Sequence, residues 1–418
     1  MLYYFSLTKL QEPRSSAHWD LSLAILFDIF WICTTVARIR TRWLLSAIAL
    51  VVLALSLFAI FEYRVNEVRS VRVAGDDTAI KVGVVLPLTG NYAEYGQNVL
   101  PALQLASDEL NQETGKKISL VVEDDQAQPK QAVSALQKLI QVDGVRFVIG
   151  GFTSASSIAM YPIAERAGVL MFSPSSSTPA LTHNTPLFFR NWPSDTAQAQ
   201  IFARETLDRF KKPSCNILYS NSEYGVNANA LFAAAYQALG GKIPVTESYQ
   251  PNATDYRAQI SKFLANPTDC VWLLGYYSEV GQFLKQAREL GLKVQFFGQE
   301  GIEGQQLLDI AGKAADGLIY FVPAFDPDTP AAARFIAKYK QKAGRAPEIF
   351  AAHGYDALNI LVGAIRKVGA DPKKVAAYLP TVKDYPGVAG TTSIDENGDA
   401  VKPVMTKTIR DGKFVAFQ

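Results

Sequence analysis

IKVGVVLPL, residues 80–88, is a nearly unbroken apolar run rich in β-branched side chains and closed by Pro87. Continuous rather than alternating apolarity marks a strand covered on both faces, the habit of parallel sheets. Three similar runs follow: ISLVVEDD (118–125), VRFVIGG (145–151) and GVLMFSP (168–174). Helical patterns lie between them at 99–112, 129–141 and 156–167. The alternation restarts with CNILYS (215–220), CVWLLG (270–275), VQFFGQ (294–299) and GLIYFVP (317–323). Right-handed βαβ units repeated in this way wind into a doubly wound sheet, and two successive sets predict two similar α/β lobes. No repeat at the level of sequence relates the halves.

Composition narrows the function. The 418 residues carry 41 Lys/Arg against 39 Asp/Glu, a balance unlike the concentrated basic excess of a nucleic-acid binder. Aromatics at 11% and charged residues at 19% exclude a globally disordered chain. Three cysteines and three histidines are too few for a disulfide scaffold or a histidine-rich metal site. Part of the apolar excess falls at 43–61, WLLSAIALVVLALSLFAIF, which has no charge and is long enough to cross a bilayer as a helix. Arg38, Arg40 and Arg42 precede it, so the chain after it is expected on the far side of the membrane. The segment reads as a signal peptide or an uncleaved anchor, residues 62–79 as a linker, and residues 1–42 as a leader that a misplaced start site would explain. Residues 1–72 hold eight Lys/Arg against five Asp/Glu, and the rest 33 against 34. The exported body is thus nearly neutral, and its ligand is to be sought in a pocket rather than on a charged face.

Ligands of doubly wound sheets sit beyond the carboxyl ends of the strands. Here those exits are 88–90, 150–157, 173–178, 221–225, 275–278 and 298–301, rich in Gly, Ser, Thr and Tyr, with the carboxylate of Glu300 in the last of them. Single polar residues at such places often only cap the next helix, but exits of one character from two lobes describe a cleft.

At these exits the sequence resembles the leucine/isoleucine/valine-binding proteins of branched-chain amino-acid ABC transporters, a type I periplasmic binding fold. The matching pieces are LTGNYAEYG (88–96), EDDQAQPKQAV (123–133), VIGGFTSASS (148–157), GVLMFSPSSSTPALT (168–182), SEYG (222–225), GYYSEVGQFLKQARELGLKVQFFGQEG (275–301) and IAGKAADGLI (310–319), in family order over residues 80–418. The resemblance implies that Ser154 holds the ligand carboxylate through hydroxyl and amide. Ser175 and Ser177 would reach the carboxylate and amino group, and Glu300 would receive the α-ammonium. It also implies that Tyr224 and Tyr276 are contributed by the second lobe and that Tyr95 lines the aliphatic side. Chemistry agrees, because a zwitterion entering a closed cleft needs donors at one end and an acceptor at the other. Ser154 stands at a helix start, where backbone N–H groups favour an anion.

The implied lobes are 80–193 with 323–388, and 194–322 with 389–418, hinged near 191–195, 322–325 and 385–390. The implied task is delivery of leucine, isoleucine or valine to a membrane permease by a monomer, without catalysis, cofactor or metal. Two departures stand out: Ala127 and Thr153 occupy places where the family often has a cysteine pair, and Pro101 interrupts the first helix. Cys215 and Cys270 each begin a predicted strand, and the reading leaves a disulfide and two buried thiols both open. No G-x-S-x-G elbow, P-loop or H-E-x-x-H supports an enzyme, and GQEGIEG (298–304) is not a dinucleotide fingerprint. The alternatives are a membrane-tethered sensor, or the same fold binding an amide, urea or an aromatic acid.

Overall fold

The computed structural model describes residues 79–417 apart from 114–116. The expectations for the leader and for the apolar stretch 43–61 lie outside the described residues. Among the described residues no helix is long and apolar enough to cross a membrane.

Five strands build the first sheet: β1 (Ile80–Leu86), β2 (Ile118–Asp124), β3 (Phe147–Gly150), β4 (Leu170–Ser173) and β5 (Phe188–Arg190). They are parallel throughout, in the order β2-β1-β3-β4-β5. Helices α1 (Ala93–Gln112), α2 (Pro129–Gln141) and α3 (Ser154–Ala167) connect them. In the second sheet β6 (Cys215–Ser220), β7 (Thr246–Tyr249), β8 (Cys270–Leu274), β9 (Gln295–Gln299) and β10 (Ile319–Pro323) are parallel. The helices beside them are α4 (Asp195–Arg204), α5 (Glu223–Ala238), α6 (Arg257–Ala265), α7 (Tyr277–Glu289) and α8 (Gln305–Ala311). The chain then returns to the first sheet as α9 (Pro330–Ala343), α10 (Ile349–Val368) and α11 (Pro372–Tyr378). Ion pairs from Lys338, Lys342 and Arg366 to Glu109, Asp108 and Glu113 tie α9 and α10 to the α1 side.

A small antiparallel sheet follows, made of β11 (Tyr385–Gly387), β12 (Gly390–Ile394) and β13 (Ala400–Val401). It is bound to the end of β5, where the Arg190 amide donates to Gly398 O at 2.9 Å. Finally β14 (Val404–Arg410) and β15 (Lys413–Ala416) extend the second sheet antiparallel from β10.

Each β-run read from the sequence forms a strand, shortened by up to two residues at an end. The first helix differs: it starts at Ala93, not Val99, and runs unbroken through Pro101. Proline costs that helix an N–H donor, but Gln97 Nε2 donates to Leu88 O (3.1 Å) and Asn98 Nδ2 to Glu94 O (3.0 Å), holding the turns before it. Cys215 and Cys270 lie opposite each other at the starts of adjacent strands β6 and β8 and form a disulfide across a sequence separation of 55. Of the two outcomes left open, the bonded one is found.

Candidate functional site

The site is assembled where strands end. After β3, Gly151 turns the chain at φ +66, and a Cβ there would come within 2.4 Å of Ser157 Oγ, so the turn admits glycine alone. Thr153 then caps α3, its hydroxyl accepting from the Ser156 amide at 3.2 Å. Ser154 is the first helical residue, so the free N–H groups of the first turn and the positive end of the helix dipole surround it. The loop after β4 is bonded back to this turn. Ser173 Oγ donates to Gly151 O (3.0 Å) and accepts from the Ser176 amide (3.0 Å), and Ser175 Oγ donates to Phe152 O (2.7 Å).

The second sheet supplies the opposite wall. Ser222 caps α5, accepting from the Gly225 amide at 3.2 Å, which places Tyr224 in the first turn. The Tyr224 hydroxyl donates to Gln299 Oε1 at 2.9 Å. Tyr276 precedes α7, and Glu300 follows β9 directly.

All seven residues expected from the sequence line one small cavity: Tyr95, Ser154, Ser175 and Ser177 from the first half, Tyr224, Tyr276 and Glu300 from the second. Every one of them is buried. The remaining wall is Phe152, Thr153, Gly301 and Phe350. Phe152 stacks on Tyr95 with ring centroids 4.8 Å apart, and Phe350 stacks on Trp192 at 5.0 Å.

Contacts between the halves enclose the cavity. The Tyr95 hydroxyl donates to Gly301 O and that of Tyr92 to Glu279. Glu94 accepts from the amides of Gln305 (2.6 Å) and Gln306 (2.9 Å), capping the start of α8 from across the cleft.

Glu300 is the lining residue with a formal charge, and its Oε2 has no hydrogen-bond partner among the described residues. Burial, and next the neighbouring Asp195 carboxylate, push its carboxyl up to about 8. The Trp192 indole N–H eases this slightly while standing outside hydrogen-bond geometry. A carboxylate oxygen left without a partner in a buried cavity is an acceptor for a cationic donor. The sequence places Asp195 only within a hinge, yet it belongs to the electrostatics of the site. Its Oδ2 accepts from Ser177 Oγ at 3.0 Å, and burial raises it to about 7, against the pull of Ser177 and Arg190. Glu300 is thus not the only carboxylate near the cavity. Phe152 and Thr153 sit inside the motif 148–157, and Thr153 is readable as a helix cap. Phe350 arrives from α10, which follows no strand, so reasoning from strand exits does not reach it.

Two α/β sheets whose parallel strands point their carboxyl ends at one buried, polar-ended cavity define a two-lobed small-molecule binding protein. Residues 79–413 match the periplasmic binding protein family, and the chain belongs to it, in the branch of leucine/isoleucine/valine-binding proteins. A leucine-, isoleucine-, valine-, threonine- and alanine-binding protein of Pseudomonas aeruginosa is 32% identical over 326 residues, 77% of this chain and 87% of the relative. A Leu/Ile/Val-binding protein homolog of Brucella abortus is 32% identical over 354 residues, 81% of this chain and 93% of its own. Among solved structures, a leucine-binding protein of Thermotoga maritima superposes with a TM-score of 0.78 at 29% identity, covering 81% of this chain and 98% of its own. A branched-chain amino-acid substrate-binding protein of Streptococcus pneumoniae, in complex with isoleucine, gives 0.76 at 27% identity with the same coverage.

Proposed function

We propose that this chain is the extracytoplasmic substrate-binding component of an ABC transporter, and that it closes on an amino acid and delivers it to a membrane permease. Branched-chain aliphatic amino acids are the favoured ligands. The observation that carries this reading is Glu300 Oε2, without a hydrogen-bond partner among the described residues, in the same cavity as the capped start of α3 at Ser154. One end accepts an ammonium and the other donates to a carboxylate, while Tyr95, Phe152 and Phe350 offer an apolar wall between. The names of the relatives point the same way.

In this reading Ser154 binds the carboxylate end, Ser175 and Ser177 reach the carboxylate and amino group, and Glu300 takes the ammonium, backed by Asp195. Tyr224, Tyr276 and Tyr95 close over the remainder. The lobes hinge at 191–195 and 322–325. The bonding of residues 385–399 to the β5 side favours a third hinge strand at 401–404 over the 385–390 expected from sequence. Residues 43–61 serve export as a signal or an anchor, which N-terminal sequencing of the native protein distinguishes.

Calorimetric titration of the full chain, freed of carried-over ligand by unfolding and refolding, tests the function. Leucine, isoleucine or valine should bind and Glu300→Ala should abolish that binding with the fold intact. Binding of phenylalanine, urea or benzoate in their place would overturn the ligand class. Unchanged affinity in the variant would remove the ammonium site.

A further inference from the structure

Behind the loop that carries Ser175 and Ser177 lies a fully buried guanidinium, Arg190, at the end of β5. Its Nε donates to Asp399 Oδ1 at 2.7 Å, its Nη1 to Ser176 O at 3.1 Å and to Thr178 O at 2.8 Å, and its Nη2 to Thr182 Oγ1 at 2.6 Å. Those carbonyls flank Ser177 on both sides. Ser177 itself is held from the other direction, its carbonyl accepting from the Asp195 amide at 2.9 Å and its hydroxyl donating to Asp195.

Asp399 is fixed before it meets the arginine. In the turn 395–399 the Asp395 carboxylate accepts from the amides of Asn397 and Asp399, both at 2.9 Å, and the Asp395 amide donates to Asp399 O at 2.9 Å. The turn presses on β5 so closely that a Cβ at Gly398, whose φ is +84, would stand 2.6 Å from Phe188 O. Five residues past Asp399 the chain enters β14 of the second sheet.

We propose that Arg190, anchored by Asp399, is a positioning residue for ligand recognition: it sets the loop 174–178 so that Ser175 and Ser177 meet the carboxylate end of the amino acid. It also joins that loop to the passage between the lobes. The inference rests on the amino-acid reading above. A planar fork with five donors satisfies four acceptors at once, whereas lysine keeps the charge but not the fork. The loop's serines carry no charge of their own, so their aim has to come from bonds behind them.

Leucine and leucinamide, which share everything but the carboxylate, separate positioning from general damage. Titration of the full chain should show Arg190→Lys weakening leucine at least tenfold and leucinamide less than twofold, so that the preference for the acid collapses. Asp399→Asn should do the same to a smaller extent, and Thr182→Val, which deletes a single bond, should cost leucine alone two- to fivefold. Equal losses on both ligands, or unchanged leucine affinity in variants with the native circular dichroism spectrum, would overturn the proposal. Should Arg190→Lys fail to fold, Thr182→Val distinguishes the same outcomes with the same two ligands. A wild-type chain that binds no amino acid would defeat the functional reading itself, whereas a binding wild type with unshifted preference in the variants defeats this inference alone.

Discussion

Glu300 carries a stability cost that its proposed role explains. With its carboxyl raised to about 8 from an ordinary 4.5, the folded chain binds more protons than the unfolded one between those values. The sign follows from linkage: stability is undiminished below about 4.5 and declines as pH rises toward 8. Each unit of such a shift corresponds to roughly 1.4 kcal/mol, and Asp195, raised for the same reason, shares the effect. Glu300→Gln keeps the shape and removes the titration. Thermal melts of ligand-free protein should therefore show the variant more stable than wild type at pH 8, by an amount of order a few kcal/mol, with the gap closing near pH 4. A gap independent of pH would mean that Glu300 is not buried as described. The same variant should lose amino-acid affinity, which makes the residue a case of stability given up for binding.

Strands and helices divide the work by their ends. Tyr224 and Tyr276 follow the carboxyl ends of β6 and β8, whereas Cys215 and Cys270 stand at the amino ends of the same strands. A strand of five residues puts roughly 17 Å between the two ends, so the disulfide braces the second sheet away from the cavity. Replacing both cysteines by alanine should lower stability by about 4 kcal/mol on the chain-entropy model for a loop of this length, while the leucine Kd stays within twofold. Urea unfolding beside calorimetry checks both halves, and an affinity that falls in step with stability would show the two ends to be coupled. Element ends also decide what can be read from sequence. The runs that form β3, β4, β6, β8 and β9 are buried along nearly their whole length, and their exits carry the three serines, Tyr224, Tyr276 and Glu300. By contrast β5 has three residues, and TESY in β7 is mostly solvent-facing at the sheet edge, so neither produces an apolar run. Phe350 and Asp195 escape for another reason: Asp195 begins α4 just past a crossing between the sheets and Phe350 stands at the start of α10, which follows another helix rather than a strand, so only the tertiary path of the chain brings them to the site.

At the scale of the molecule, binding on this reading is closure, and the contacts that span the cleft set its cost. Glu94 is the clearest of these. It belongs to α1 beside the first sheet, yet both its oxygens accept amides at the start of α8 beside the second. A carboxylate there satisfies orphan donors and meets the positive end of a helix dipole, an arrangement that exists only while the halves are together. Tyr95 and Tyr92 add two bonds across the same gap. Glu94 is not among the residues that line the cavity, so Glu94→Ala leaves its wall intact. Loss of a cap costs about 1 kcal/mol, and because the bond forms only on closing, that cost falls on the closed state alone. The leucine Kd should then rise about fivefold through a shifted equilibrium between open and closed forms. Small-angle scattering should show wild type compacting at lower leucine concentration than the variant, with both reaching the same radius of gyration at saturation. If the variant instead binds leucine as tightly as wild type, the capping bond forms equally in the open protein and the cleft closes by a different route.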